Sequence, residues 1–145
     1  MNAHYQNIVV AVDGSEEAEI AFKKALEIAK RNQARLILAH VVDSRSFATI
    51  EAYDRTLGER AEQYAKELLE DYEVKAKQAE VAQVEKTIEF GSPKVKIPKD
   101  IAKDYDADLI ICGATGMNAV ERFLIGSVSE SITRYANCDV LVVRS

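Results

Sequence analysis

Apolar residues in this chain fall into short unbroken runs, separated by longer stretches in which they recur every three or four positions. Ile8-Val9-Val10-Ala11-Val12 is the first run and stops at Asp13-Gly14. Leu36 to Val42 is the second and stops at Asp43; Leu109-Ile110-Ile111-Cys112 stops at Gly113; Val140 to Val143 is the last. Runs that are apolar throughout, rather than alternating, predict strands buried on both faces, as in a parallel sheet. Val84 to Phe90 alternates more and predicts a strand toward an edge.

The intervening stretches carry helical spacing. After Ser15, the residues Ala18, Ala21, Phe22, Ala25 and Ala29 paint one helix face. Ser15 is a natural N-cap, and Glu16 and Glu17 suit the positive helix start. Ala61, Tyr64, Ala65, Leu68, Leu69 and Tyr72 repeat the pattern, with Tyr64, Leu68 and Tyr72 read as a sheet-facing stripe. Ser92-Pro93 resembles a cap followed by a first-turn proline, but Pro98 falls where that helix would continue. A proline inside a helix removes a hydrogen bond and clashes with the preceding turn. The expectation is therefore a short turn over 93–97 and a helix from Pro98 to about Tyr105. A last helix over Ser127 to Ala136 has Ser127 and Glu130 spaced as a capping box.

The order β-α-β-α-β-α-β-α-β predicts an α/β fold, a three-layer open parallel five-stranded sheet of order 3-2-1-4-5 with four helices, Rossmann-like, in one domain over 1–145. The irregular connection is 43–58, a length that in compact domains points to function or mobility.

Composition narrows the function. Lys and Arg total 19 against 24 Asp and Glu, a net charge of −5. That balance lacks the basic footprint of a nucleic-acid binder. No run reaches the ~18 apolar residues of a membrane span, and no secretory signal is legible at the start, so a cytoplasmic protein is expected. Cys112 and Cys138 form no CxxC pair and predict neither a disulfide scaffold nor a zinc site.

In an open doubly wound sheet, ligands sit beyond the carboxyl ends of the strands where the strand order reverses. Here that point lies between strands one and four and brings Asp13 beside Gly113. Gly113-Ala114-Thr115-Gly116 supplies two close glycines, and Gly126-Ser127 opens the last helix. Glycines allow close approach of the backbone, and a helix N-terminus offers free N–H groups to an anion. Together they describe a phosphate cradle of backbone amides. Each piece also has a plain reading: the glycines as turns, Ser127 as a cap, Asp13 as the start of an Asp-Gly-Ser turn. A carboxylate beside phosphates is repulsive unless a divalent cation intervenes, so a functional Asp13 implies Mg²⁺.

The spacing Gly113-x2-Gly116-x9-Gly126-Ser127 after a buried strand resembles the nucleotide motif of the universal stress protein family. The segments Ile8 to Glu16, Ala107 to Gly113 and Cys138 to Val143 are similar to that family as well, so the resemblance covers about residues 6 to 144. It implies ATP binding. Carried over, Gly113, Gly116, Gly126 and Ser127 hold phosphates and ribose, and Val128 and Ser129 add backbone or hydroxyl contacts. Asp13 lies near ribose or metal with Ala11 and Val12 beside it, and the Val41 backbone reads the adenine edge. The resemblance also implies a homodimer paired through strand 139–144, whose exposed edge is otherwise an aggregation hazard. Pro98 departs from the family pattern. Arg122 is read as solvated surface, His40 as a satisfied core or rim residue, and Cys112 as small core.

A nucleotide-responsive stress or regulatory binding protein is the favoured reading, ATP ordering the loop after strand four. A slow Mg-dependent ATP hydrolase or phosphotransferase is the alternative, but GxxxxGK[ST] is absent and no base accompanies the glycines. Receiver-domain phosphoacceptor chemistry needs an acceptor Asp after strand three, where Glu89-Phe90-Gly91 stands instead. A flavin module is the weakest alternative.

Overall fold

A computed structural model describes residues 4–43, 56–115 and 125–144 of the chain. The elements run β1 (Asn7–Ala11), α1 (Glu16–Asn32), β2 (Arg35–Asp43), α2 (Thr56–Gln78), β3 (Gln83–Gly91), a helical segment α3 over 93–104, β4 (Leu109–Gly113), α4 (Ser127–Tyr135) and β5 (Asp139–Val143). The five strands form one sheet in the order β3-β2-β1-β4-β5, and every pair is parallel. Fold class, strand order and the four helices follow the expectation. Of the expected irregular connection 43–58, Asp43 belongs to β2 and 56–58 to α2; the residues between lie outside the described ones.

The sheet separates two apolar layers. On one face Ile8, Val10, Leu36, Leu38, Leu109 and Ile111 meet Phe22 and Ala25 of α1 and Leu69 and Tyr72 of α2. On the other, Val9, Ile37, Ala39, Ile110 and Cys112 meet Ile97 and Ile101 of α3 and Ile132 of α4. Successive strand residues point to opposite faces, so a strand covered on both sides must be apolar at every position. That is why β1, β2 and β4 read as unbroken runs. β3, at the edge, leaves Phe90 41% exposed.

Local chemistry ends the elements where the sequence placed the signals. Ser15 Oγ accepts from the Ala18 N–H and caps α1. Gln33, in the left-handed region, closes α1 by donating its N–H to the carbonyls of Ala29 and Lys30. At the opposite end of the sheet Arg35 donates to Asn7, Glu85 and the Tyr105 carbonyl, tying β1, β2, β3 and the end of α3 together.

Two expectations are corrected. The third helix starts at Pro93 and continues through Pro98, as Pro93–Val95, a wider π-turn over Lys96–Ile101, and Ala102–Asp104. Widening to i→i+5 bonds lets a helix absorb a residue without an N–H; the Ala102 N–H reaches back to the Ile97 carbonyl. Pro98 itself is buried with Ile97 and Ile101. Tyr64 is 50% exposed, while Tyr72 is 3% exposed. The buried face of α2 runs through Ala65, Leu69, Tyr72 and Ala76, and Tyr64 lies on its flank.

Candidate functional site

The carboxyl ends of β1 and β4 lie side by side, Val10 paired with Ile111. Beyond β1 the chain turns at Asp13-Gly14-Ser15. Asp13 Oδ1 accepts from the Ser15 N–H (2.9 Å) and from Ser15 Oγ (2.6 Å), and Gly14 takes φ +83°. Asp13 therefore braces the residue that caps α1. A carboxylate has a second oxygen, and Oδ2 stands outside this brace. His40 Nδ1 lies 2.8 Å from the Val12 carbonyl. A carbonyl only accepts, so Nδ1 carries the proton, and His40 is a satisfied rim residue.

β4 ends at Gly113, where α1 packs unusually close. A Cβ on Gly113 would come within 2.9 Å of Glu17 Cβ and 3.0 Å of the Glu17 carbonyl carbon and oxygen. Close helix–strand packing, not a positive φ, is what requires glycine here. The Ala114 N–H donates to the Val143 carbonyl, and the Gly126 N–H to the Ala114 carbonyl (2.7 Å). These two bonds anchor both ends of the connection between β4 and α4.

Gly126 is the N-cap of α4, with φ −64° and ψ 158°. Its carbonyl takes the first helical bond, from the Glu130 N–H. The N–H groups of Ser127, Val128 and Ser129 precede that bond, so they lack an acceptor within the helix. The expected capping box is not formed: Ser127 is the first helical residue and makes no cap bond, and Glu130 pairs with Arg134 at 2.9 Å. With glycine in the cap position the helix starts one residue earlier than the Ser-x-x-Glu spacing suggests. The Ser129 hydroxyl, in a residue only 5% exposed, donates to the Gly113 carbonyl and ties α4 to β4.

Ala11, Val41 and Val128 all pack against the same apolar layer, the one beneath α3 and α4, whereas Val12 is buried toward α1. The predicted residues of three separate elements thus converge at one end of one face. Gly116 and Arg122 lie outside the described residues. Burial pushes the Cys112 thiol up to about 11, although the Ser129 hydroxyl draws it partly back. Cys112 is accordingly an inert core thiol.

Among the described residues no group of three or more Asp, Glu, His or Cys is placed to hold a metal. Asp13 alone would suffice only for an ion held chiefly by a ligand's phosphates, a donor set that fits Mg²⁺. Two residues at this end carry only a structural reading in the sequence, Tyr64 as sheet-facing core and Glu17 as a helix-start acid. Tyr64 brings its hydroxyl over Gly14, 2.8 Å from where a Cβ would sit. Glu17 has a buried Oε2 with no hydrogen-bond partner. Glutamate in a first helical turn is explained by the helix dipole, so its sequence context carried no further signal.

The Universal stress protein family pattern matches residues 4–144. A relative from Staphylococcus haemolyticus, whose name places it among the universal stress proteins, is 52% identical over 141 residues, covering 97% of this chain and 86% of its own. The universal stress protein UspA from Lactobacillus plantarum superposes with a TM-score of 0.87 at 33% identity, covering 99% of this chain and all of its own. The universal stress protein from Archaeoglobus fulgidus in complex with dAMP gives 0.68 at 28% identity, over 98% of this chain and 100% of its own. A universal stress protein in complex with cAMP gives 0.73 at 26%, over 98% of each. With the motif spacing, the strand order and a match over nearly the whole chain in agreement, the protein belongs to the universal stress protein family.

Proposed function

We propose that this chain binds an adenine nucleotide, ATP with Mg²⁺, beyond the ends of β1 and β4, and that it serves in the cytoplasm as a nucleotide-responsive regulatory protein. The observation that carries the reading is the start of α4. The N–H groups of Ser127, Val128 and Ser129 precede the first helical bond at the point where strand order reverses, and such a terminus favours an anion. The cAMP and dAMP complexes of structurally similar proteins support an adenine nucleotide as that anion's carrier. Ala11 and Val41 would flank the base, Gly113, Gly116, Gly126 and Ser127 the ribose and phosphates, and Asp13 the ribose or the metal. Mg²⁺ would offset phosphate charge beside that carboxylate.

A second copy of the chain would pair along β5. This strand ends the sheet, and a bare edge invites pairing.

Calorimetric titration of nucleotide-stripped protein tests the nucleotide reading, with Mg-ATP, AMP and cAMP as ligands. Ser127→Pro is the informative variant. Proline is tolerated at the first helical position, and the extended conformation of Gly126 suits the residue before a proline. It removes one N–H and leaves the helix, while Ser127→Ala removes only the hydroxyl. One nucleotide per chain, weakened several-fold by Ser127→Pro beyond any effect of Ser127→Ala, is expected. No binding of any of the three by correctly folded wild type would overturn the reading.

A further inference from the structure

The first turn of α1 holds an acidic side chain whose chemistry is incomplete. Glu17 is part-buried, its Cβ and backbone lie against Gly113 at the end of β4, and Oε2 is shut off from solvent without a hydrogen-bond partner. Among the described residues it is the sole buried side-chain oxygen or nitrogen left in that state. A buried polar atom without a partner costs free energy comparable to a lost hydrogen bond, and native structures leave few of them unexplained. The helix dipole explains why an acid is favoured in this turn. It does not explain an oxygen withdrawn from water, because Glu16 meets the same dipole from an exposed position.

Position supplies the rest. Glu17 follows Asp13 by four residues, across the turn that leads into α1, and its Cβ and backbone border the glycine at which β4 ends, so it stands at the boundary of the proposed nucleotide site. A carboxylate oxygen only accepts, and a nucleotide brings two kinds of donor to such a place: ribose hydroxyls and the water molecules of its Mg²⁺. Phosphate oxygens would be repelled, which agrees with their assignment to the start of α4.

We propose that Glu17 is a further ligand-binding residue, whose buried Oε2 accepts a hydrogen bond from an O–H of the Mg-nucleotide. The inference rests on the nucleotide reading above. It predicts that the partner missing from the protein arrives with the ligand.

The experiment is calorimetry and thermal unfolding of the full chain, wild type against Glu17→Gln and Glu17→Ala. The ligands are ATP and 2′,3′-dideoxy-ATP, each with Mg²⁺ and with chelator. A bond to a charged acceptor of this kind amounts to about tenfold in affinity. Both variants should therefore bind Mg-ATP about tenfold more weakly and show a smaller ligand-induced rise in Tm, while the ligand-free Tm stays level or rises as an unpaired buried oxygen is removed. If ribose is the donor, wild type loses the same factor on dideoxy-ATP and the variants lose nothing more. If metal-bound water is the donor, the difference between wild type and variants vanishes with chelator. Variants that fold and bind Mg-ATP as tightly as wild type would overturn the role of Glu17 and leave the nucleotide reading standing. Failure of wild type to bind would remove both.

Discussion

The Tyr64 hydroxyl rests on Gly14, so close that a Cβ on Gly14 would approach it to 2.8 Å. Gly14 also holds φ +83°, a region that side chains with a Cβ rarely enter. Two independent penalties thus fall on one position. Gly14→Ala should cost about 1–2 kcal/mol from the backbone alone, and a further increment from Tyr64. In thermal unfolding, Tyr64→Ala should recover only the second part when combined with Gly14→Ala. Complete recovery would show that the turn carries no backbone strain.

Ser129 and Gly113 give a second test, because the same serine was assigned to the nucleotide. Its hydroxyl is already committed to the Gly113 carbonyl, so only its N–H is available to a phosphate. Ser129→Ala should lower stability by about 1–3 kcal/mol, the cost of leaving a buried acceptor unpaired. Nucleotide affinity of the folded variant should change little, since the backbone donor remains. Chemical denaturation and calorimetry on one preparation separate the two effects. A large affinity loss at unchanged stability would place the hydroxyl on the ligand instead.

Alkaline pH should weaken the fold in a defined window. Burial raises the Cys112 thiol from its ordinary value of 9.0 to about 11. Burial, then the charges of Glu19 and Asp13, raises Tyr72 as well. Both groups hold their protons more tightly folded than unfolded, so between these values the unfolded chain binds fewer protons and stability falls as pH rises. For Cys112 the contribution is complete below pH 9 and is lost as pH climbs through 11, on the order of 2 kcal/mol. Unfolding free energies measured from pH 8 to 11 should decline less steeply for Cys112→Ala than for wild type. Parallel curves would remove Cys112 from the effect.

How much of this was legible in the sequence varied from residue to residue for physical reasons. Ile8 to Val12 and Leu109 to Cys112 announced doubly covered strands because coverage on both faces leaves no position for a polar side chain. Ser15 announced its cap because the bond it makes is local. Pro98 misled because the rule that proline stops a helix assumes an unwidened turn, and the wider turn is fixed by burial of Ile97 and Ile101 against the sheet. Ser127 misled because glycine at 126 satisfies the same cap geometry one position earlier. The convergence of Ala11, Val41 and Val128 followed from strand order. The orphaned oxygen of Glu17 did not, since it depends on how closely α1 approaches Gly113.

The free edge at β5 yields the last prediction. In a strand, the N–H and C=O of one residue point to the same side, and the direction alternates along the chain. The Val143 carbonyl accepts from Ala114, which follows β4. Val143, Leu141 and Asp139 therefore face β4, and Val140 and Val142 turn their backbone groups outward. If a second copy pairs along β5, Val142 supplies one of its N–H groups. Val142→Pro deletes that donor without touching the ladder to β4, and proline is compatible with an edge strand on its open side. Sedimentation equilibrium should show a dimer for wild type and a shift to monomer for Val142→Pro, with the far-ultraviolet circular dichroism retained. Leu141→Pro, which breaks the inner ladder instead, should unfold the strand and lower Tm. A Val142→Pro variant that stays dimeric would move the contact away from β5.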